Sequence, residues 1–445
     1  MKILNRLTIP FIAIVILWAA SNTHWKDGKY ILIGDAQGYY SYLPAVFIYK
    51  NLNFGFYDSI GTKYFEASKY DYRTGHNGET INKYYCGTAI AMLPFFGAAH
   101  LFTLVSSGPA DGFSKYYTIF AQIACISWLI VGLIYLRKLL KFYTEKEGLV
   151  SFALIAIVFG TNIFYYTISE PGVSHIFSFA FITLFVYYVR CFISVPKNRY
   201  LLFCFALLGI IFLLRPVNLL ILFSIPFLAD SFASLKASID EVFKRRKYFI
   251  AGIPILLLII SIQTIIYKIS AGSFWIDSYR SEHFVWNKLN MIDFLFSYKK
   301  GMFLYTPLLF VCLLGCIKIR KENRYGFFSL IGFLALLIYV FSSWWQWFYG
   351  GSFSCRVMIE YYAFFAILFV ESLLLLKRNF SKTAFIAAIC TLIIICQIQT
   401  YQYRYNHIHW SEMNKERYWN VFMRVDLLLK HQNPNEDLLV KISAH

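Results

Sequence analysis

Eleven or twelve long apolar runs, separated by short polar segments, leave this chain few ways to fold. They lie at 7–20 and near 85–106, 115–136, 149–167, 174–193, 200–214, 217–229, 248–267, 302–317, 325–342, 361–376 and 383–400. A helix needs roughly 17–25 apolar residues to cross a bilayer, and in lipid only helices or closed barrels satisfy the backbone. The runs are continuous rather than alternating, which excludes a barrel. The pattern predicts an all-α polytopic membrane protein of about 11–12 transmembrane helices, with a long first loop over 21–84. Residues 1–400 form one membrane domain and 401–445 a short outer tail.

A net charge of +18 would suit a nucleic-acid partner, but the cations sit in short loops between apolar runs. The positive-inside rule accounts for that arrangement, so the expected partner is the bilayer, with no nucleic acid. The basic loops at 137–146, 196–199, 236–247, 318–324 and 377–382 are placed in the cytoplasm. Loops 169–175, 270–300, 343–356 and the tail are placed outside, which predicts a multi-pass plasma-membrane protein whose polar site faces the exterior. Most of the nine cysteines fall inside apolar runs, without disulfide or zinc spacing, and read as small packing residues.

The crossing count does not close. If the N-terminus is inside, loop 21–84 is outside and 137–146 is inside only after an odd number of crossings, yet two runs lie between them. One of them is then a re-entrant or surface helix, or a span hides in the polar stretch, where 39–51 is a candidate interfacial helix. Runs 200–214 and 217–229 are short and suit a hairpin turning at Arg215-Pro216.

Several groups of side chains carry candidate chemistry. Asp35, in GDAQGYYSYLP, is either a helix cap or a general base beside the membrane surface. Arg215 interrupts an apolar stretch, where a charge is functional by default unless it snorkels at a hairpin tip. Lys299 and Lys300 begin a run on the outer side against the charge bias, suiting phosphate or headgroup contact. Glu170 and His175 form a second outer polar cluster, although a solvated loop charge and a first-turn histidine explain them equally. Eight of ten tryptophans, Trp345 and Trp347 among them, fall on the outer side. An aromatic belt occupies both faces, whereas a one-sided set suits sugar stacking or an isoprenoid tail. No nearby carboxylate or cysteine completes a site with His407 and His409, so no metal is expected. No nucleotide-binding glycine loop is present.

Taken in order along the chain, these segments resemble the integral-membrane glycosyltransferases of the GT-C class. Within it they are similar to the protein mannosyltransferase and aminoarabinose transferase-like group, which uses polyprenyl-phosphate sugars. The resemblance rests on GDAQGYYSYLP around Asp35, NKYYCGTAIAMLPFFG, ISEPGVSH around Glu170, LLRPVN around Arg215, SYKKGMFLYTPLL around Lys299 and Lys300, and WWQWFYGGSFSCRVMIEYY around Arg356. It departs from the group where Asp35 is followed by Ala36 rather than a second acid, and in its short tail. It implies a GT-C-like fold with amphipathic outer-face helices in the first loop. It also implies sugar transfer, with inversion and without a cofactor, to a lipid, glycan or protein hydroxyl.

In that scheme Asp35 is the general base and Glu170 a second catalytic carboxylate. Arg356, Arg215, Lys299 and Lys300 hold the donor phosphate, and Tyr39, Tyr40, His175, Trp345 and Trp347 contact substrate. Arginine matches phosphate bidentately, although Glu360 offers Arg356 a helical partner at i+4. A flippase for lipid-linked saccharides and a non-catalytic assembly subunit are the rival readings. The first is expected to show inverted repeats, and none is visible.

Overall fold

The computed structural model of the protein describes residues 2–65, 70–376 and 379–429. Residues 430–445 of the tail, and Lys377 and Arg378 of the basic 377–382 loop, lie outside these. The chain is a polytopic helical membrane protein. By length and composition seven helices could each cross a bilayer, and one bent pair adds an eighth.

Helix α1 (Lys2–Thr23) leads to a first loop that is built rather than open. It holds α2 (Asp35–Phe47), α3 (Tyr57–Tyr64) and an antiparallel hairpin of β1 (Arg73–His76) and β2 (Glu79–Asn82). Asn77 and Gly78 turn that hairpin at φ +51° and +86°, the positive pair that a two-residue Asn-Gly loop supplies. The sequence places an interfacial helix over 39–51. The helix instead runs Asp35–Phe47, and all of Ala36 to Ala45 is buried, because the 169–173 loop, the hairpin and the next two helices cover it.

The missing parity is explained by α4 (Gly87–Val105). The chain just before α4 touches α2, where the Tyr42 hydroxyl donates to the Tyr84 carbonyl at 2.6 Å. The chain just after α4 returns to the same helix, with the Tyr40 hydroxyl donating to the Gly112 carbonyl at 2.7 Å. Both flanks of α4 thus return to one 13-residue helix, the arrangement expected of a re-entrant or surface helix. Helix α5 (Lys115–Leu140) starts beside the first loop, where Thr118 donates to the Gly28 carbonyl, and carries the chain to the basic 137–146 segment.

The remaining helices follow in order. They are α6 (Glu147–Phe159) with α7 (Ile163–Ile168), α8 (Ser174–Ser194) and α9 (Asn198–Leu214). Arg215 precedes Pro216 and is extended, at φ −159° and ψ 115°, as the proline ring requires. That ends α9 and turns the chain back through a 3₁₀ segment (Pro216–Ser224) and α10 (Ile225–Leu228). Next come α11 (Phe232–Lys244), α12 (Arg246–Ala271) and α13 (Met291–Phe296). The 302–317 run is broken into α14 (Met302–Tyr305), α15 (Pro307–Cys312) and α16 (Gly315–Glu322), the first break falling at Thr306-Pro307. The chain continues with α17 (Arg324–Ser342), a 3₁₀ segment (Arg356–Tyr361), α18 (Tyr362–Leu375), α19 (Asn379–Arg404), α20 (Lys415–Val421) and α21 (Val425–Leu429).

Besides the seven candidates and the bent pair, α1, α6 and α9 are apolar but shorter helices among the described residues. Small residues let these helices approach closely. A Cβ at Gly252 would overlap Phe205, and one at Gly209 would crowd Ile259, so α9 and α12 pack against each other through their glycines.

Single cysteines at Asn77 and Ser106, in a background without the native cysteines, are expected to react with an impermeant thiol reagent from the same side, and one at Glu145 from the other. Opposite sidedness for 77 and 106 would make α4 a full span.

Candidate active site

Asp35 is not a helix cap. Gly34 occupies that position with φ +53° and ψ −129°, a conformation that glycine adopts without strain, and Asp35 is the first residue of α2. Its carboxylate is engaged by two donors from distant segments. Arg356 Nη2 lies 2.6 Å from Oδ2, and the Tyr84 hydroxyl donates to Oδ1 at 2.7 Å. Two glycines set this spacing. A Cβ at Gly172 would overlap Ala36, and one at Gly38 would overlap Tyr84 and Tyr72. The 169–173 loop and the Tyr84 segment therefore close directly onto α2.

The environment of Asp35 favours its ionised form. Burial pushes the carboxyl up, but the Arg356 guanidinium and the Tyr84 hydroxyl outweigh it and hold Asp35 below the ordinary carboxylate range. Glu170 is treated oppositely. It is 8% exposed, accepts from the Tyr165 hydroxyl at 2.8 Å, and burial pushes its carboxyl up, with Arg356 offsetting only part of that. The cluster thus holds two carboxyl groups driven apart in acidity.

A second ion pair lies beside the first. Glu360 is fully buried, and its Oε1 accepts from Arg215 Nη1 at 2.7 Å and pairs with His175 Nδ1 at 2.8 Å. The expected Arg356–Glu360 contact at i+4 is absent. Arg356 begins a 3₁₀ segment, and at three residues per turn a residue four positions on faces elsewhere. His175 does sit in the first turn of α8, but it spans to Glu360 across 185 residues of sequence.

The remaining predicted residues divide into two sets. Lys300 is 2% exposed, donates to the Ser352 carbonyl, and lies 5.0 Å from the Tyr403 ring centroid. Burial pushes it down to about 7, with the Glu170 carboxylate pulling the other way. The Tyr39 ring packs against Tyr84, centroids 4.4 Å apart. Lys299 stands 3.6 Å over the Phe348 ring. Tyr40 instead points away from Asp35, toward Gly112, Phe96 and Phe113. The Trp345 backbone N–H donates to the His283 carbonyl while its side chain is half exposed, and Trp347 packs on Phe348. The structure therefore brings together Asp35, Arg356, Glu170, Lys300, Arg215, His175 and Tyr39, and leaves Lys299, Tyr40, Trp345 and Trp347 outside that group.

Residues that the sequence did not single out complete the cluster. Tyr84 bonds the Tyr70 hydroxyl at 2.9 Å, and Lys83 beside it pairs with Glu282 at 3.0 Å. Glu360 was the readable omission. A carboxylate in the 356–375 segment, 94% of whose apolar window is buried, is a functional candidate by its position alone. His409 Nδ1 accepts from the backbone of Ser411 and Glu412, and no three possible metal-binding side chains converge among the described residues.

No protein-family model and no curated protein matches this chain. Among solved structures it is similar to the crystal structure of ArnT from Cupriavidus metallidurans bound to undecaprenyl phosphate, with a TM-score of 0.54 at 12% identity. The match covers 90% of this chain and 66% of that one, so the chain spans just under two thirds of its neighbour's length. At this identity the likeness is one of fold, and it agrees with the GT-C-like architecture that the order of the motifs implies.

Removing one partner from a buried ion pair leaves an uncompensated charge and costs about 3–5 kcal/mol. Glu360→Ala is expected to lose stability in that range in reversible detergent unfolding, and adding Arg215→Met is expected to restore most of it. Equal losses in the single and double variants would show that the pair is not coupled.

Proposed function

We propose that the protein is a glycosyltransferase that moves a sugar from a polyprenyl-phosphate donor to an acceptor hydroxyl, with its site on the exterior face of the plasma membrane. The observation that carries this reading is the meeting of Asp35 and Arg356. A base and a phosphate-type cation from opposite thirds of the chain share one partly enclosed site. The fold likeness to a protein crystallised with undecaprenyl phosphate supports the donor class.

In the reaction Asp35 takes the acceptor proton, and the resulting oxygen attacks the anomeric carbon from the face opposite the phosphate. The bond from that carbon to the phosphate oxygen breaks, its electron pair stays on the phosphate, and configuration inverts. Charge grows on the leaving phosphate, so fixed cations stabilise the transition state more than the ground state. Arg356 suits this role because its Nε is buried without a hydrogen-bond partner, leaving a donor for an arriving oxygen. Lys300 supplies a second cation, and Arg215, held by Glu360, adds positive potential nearby.

The resting pair also regulates the base. While Arg356 clamps Asp35, the carboxylate is ionised but weakly basic. A phosphate drawing the guanidinium away lets Asp35 rise toward its ordinary range when the acceptor needs it. Glu170, held up by burial, is suited to hydrogen-bond a sugar hydroxyl rather than to act as a second base.

Asp35→Asn keeps the shape but cannot take the proton. Transfer from a polyprenyl-phosphate sugar should fall by about 10²–10⁴-fold while donor binding persists, and a fully active Asp35→Asn enzyme would remove Asp35 as the base and move the weight to Glu170. Arg356→Lys should also transfer poorly, since a point charge does not reproduce the guanidinium fork.

Lys300 gives a signature in protons. A group with a pKa of about 7 is largely neutral at pH 8, and a neighbouring phosphate raises that value. Binding of undecaprenyl phosphate at pH 8 should therefore take up more protons in the wild type than in Lys300→Met, measured by calorimetry in buffers of different ionisation enthalpy. Identical proton uptake would remove Lys300 from the phosphate site.

A further inference from the structure

A second charged region lies at the opposite ends of the helices that carry the site. Helix α9 ends at Leu214 beside Arg215. Helix α12, which packs parallel to it, runs 26 residues from Arg246 to Ala271, about 39 Å at the helical rise. The start of each is therefore a full span away from Asp35. There α11 lies across the end of the bundle, turned 117° from the 216–228 return that precedes it.

Two independent features meet at this corner. The first is an apolar stripe with nothing packed over it. Phe232, Ile239 and Phe243 recur at spacings of seven and four, which puts them on one face of α11, and they are 69%, 47% and 72% exposed. No residue of α11 is buried. The second is a cavity of about 660 Å³ at the junction with α12, where Lys244, Arg245, Arg246, Lys247 and Tyr248 converge. Glu241 is the carboxylate lining it, and it is already engaged by Lys244 and Arg245. Arg245 also donates to the Pro196 carbonyl, which fixes it to the start of α9. Arg246 and Lys247 form no ion pair among the described residues.

We infer that this corner binds an anionic phospholipid, with α11 lying in the headgroup layer of the leaflet on the basic side. A solvated loop would explain the cations alone, but it would not place three large apolar side chains on the same helix face, open to the surroundings. An interfacial helix explains both, because its apolar face enters the acyl boundary while cations at its edge meet lipid phosphates. Tyr248 adds a side chain with an apolar ring and a polar tip at the level of the headgroups. The occupant is a lipid rather than free phosphate because the stripe and the cavity adjoin on one helix.

The full chain in nanodiscs tests the inference in two ways. A nitroxide at Ile239→Cys, in a background without native cysteines, should be more accessible to oxygen than to a water-soluble nickel chelate, and an aqueous profile would overturn the interfacial placement. Native mass spectrometry from mixed phosphatidylglycerol and phosphatidylcholine should show retained phosphatidylglycerol. The combined Lys244→Gln, Arg246→Gln and Lys247→Gln variant should lose that preference by about a hundredfold, at roughly fivefold per cation. Arg245 stays intact in this variant because it holds α9. Equal retention of the two lipids by the wild type, or displacement of phosphatidylglycerol by inorganic phosphate at comparable concentration, would overturn the lipid assignment.

Discussion

A carboxylate enclosed among apolar helices must find a cation or lose its charge, and the arrangement of this protein follows from how two carboxylates meet that demand. Asp35 takes Arg356, 321 residues away, and Glu360 takes Arg215, 145 residues away. The two arginines do not serve their sequence neighbours. Each ion pair ties an early segment to a late one, so the first loop, the Arg215 turn and the 356–375 segment are fixed relative to one another at a single level of the bundle.

Around these pairs the backbone is unusually irregular for a membrane protein. The Arg215-Pro216 turn, the Thr306-Pro307 break and the 3₁₀ start at Arg356 all interrupt helices near the cluster. Non-helical backbone at such depth is tolerated where protein encloses it or a cavity is lined. Here it turns side chains of three passages toward one point. The same cluster sets two carboxyl groups at different acidity. One is surrounded by donors, and the other is enclosed with a single tyrosine.

Much of this was legible in the sequence. The apolar runs and loop charges gave the helical class and the short hairpin at Arg215, while the order of the motifs and the resemblance it carries gave Asp35, Glu170, Arg356 and Lys300 as site candidates. The role of α4 was not legible. Its 19 residues are apolar enough for a span, and the carbonyls of both its flanks, Tyr84 and Gly112, accept from tyrosine hydroxyls of α2, which hydropathy does not register. The Arg356–Glu360 expectation failed because it assumed a 3.6-residue turn where the chain adopts a tighter one. The β1–β2 hairpin carried its own sign in Asn77-Gly78, but polar flanking residues hid the strands. Pairings over hundreds of residues, such as Tyr84 with Asp35 through the folded loop, leave no local pattern at all.

The distance in sequence between Asp35 and Arg356 also has a consequence in time. At ordinary rates of synthesis, about 5–20 residues per second, the ribosome takes roughly 16–64 s to make the 321 residues between them. Throughout that interval Asp35 has left the ribosome without its guanidinium. The first loop can fold around α2 early, since Tyr84, Gly112 and Thr118 all emerge soon after it, but the charged centre closes only when the last third of the bundle has been inserted. A nascent chain stalled before Arg356 therefore has a shaped first loop and, at its heart, a carboxylate without its cation.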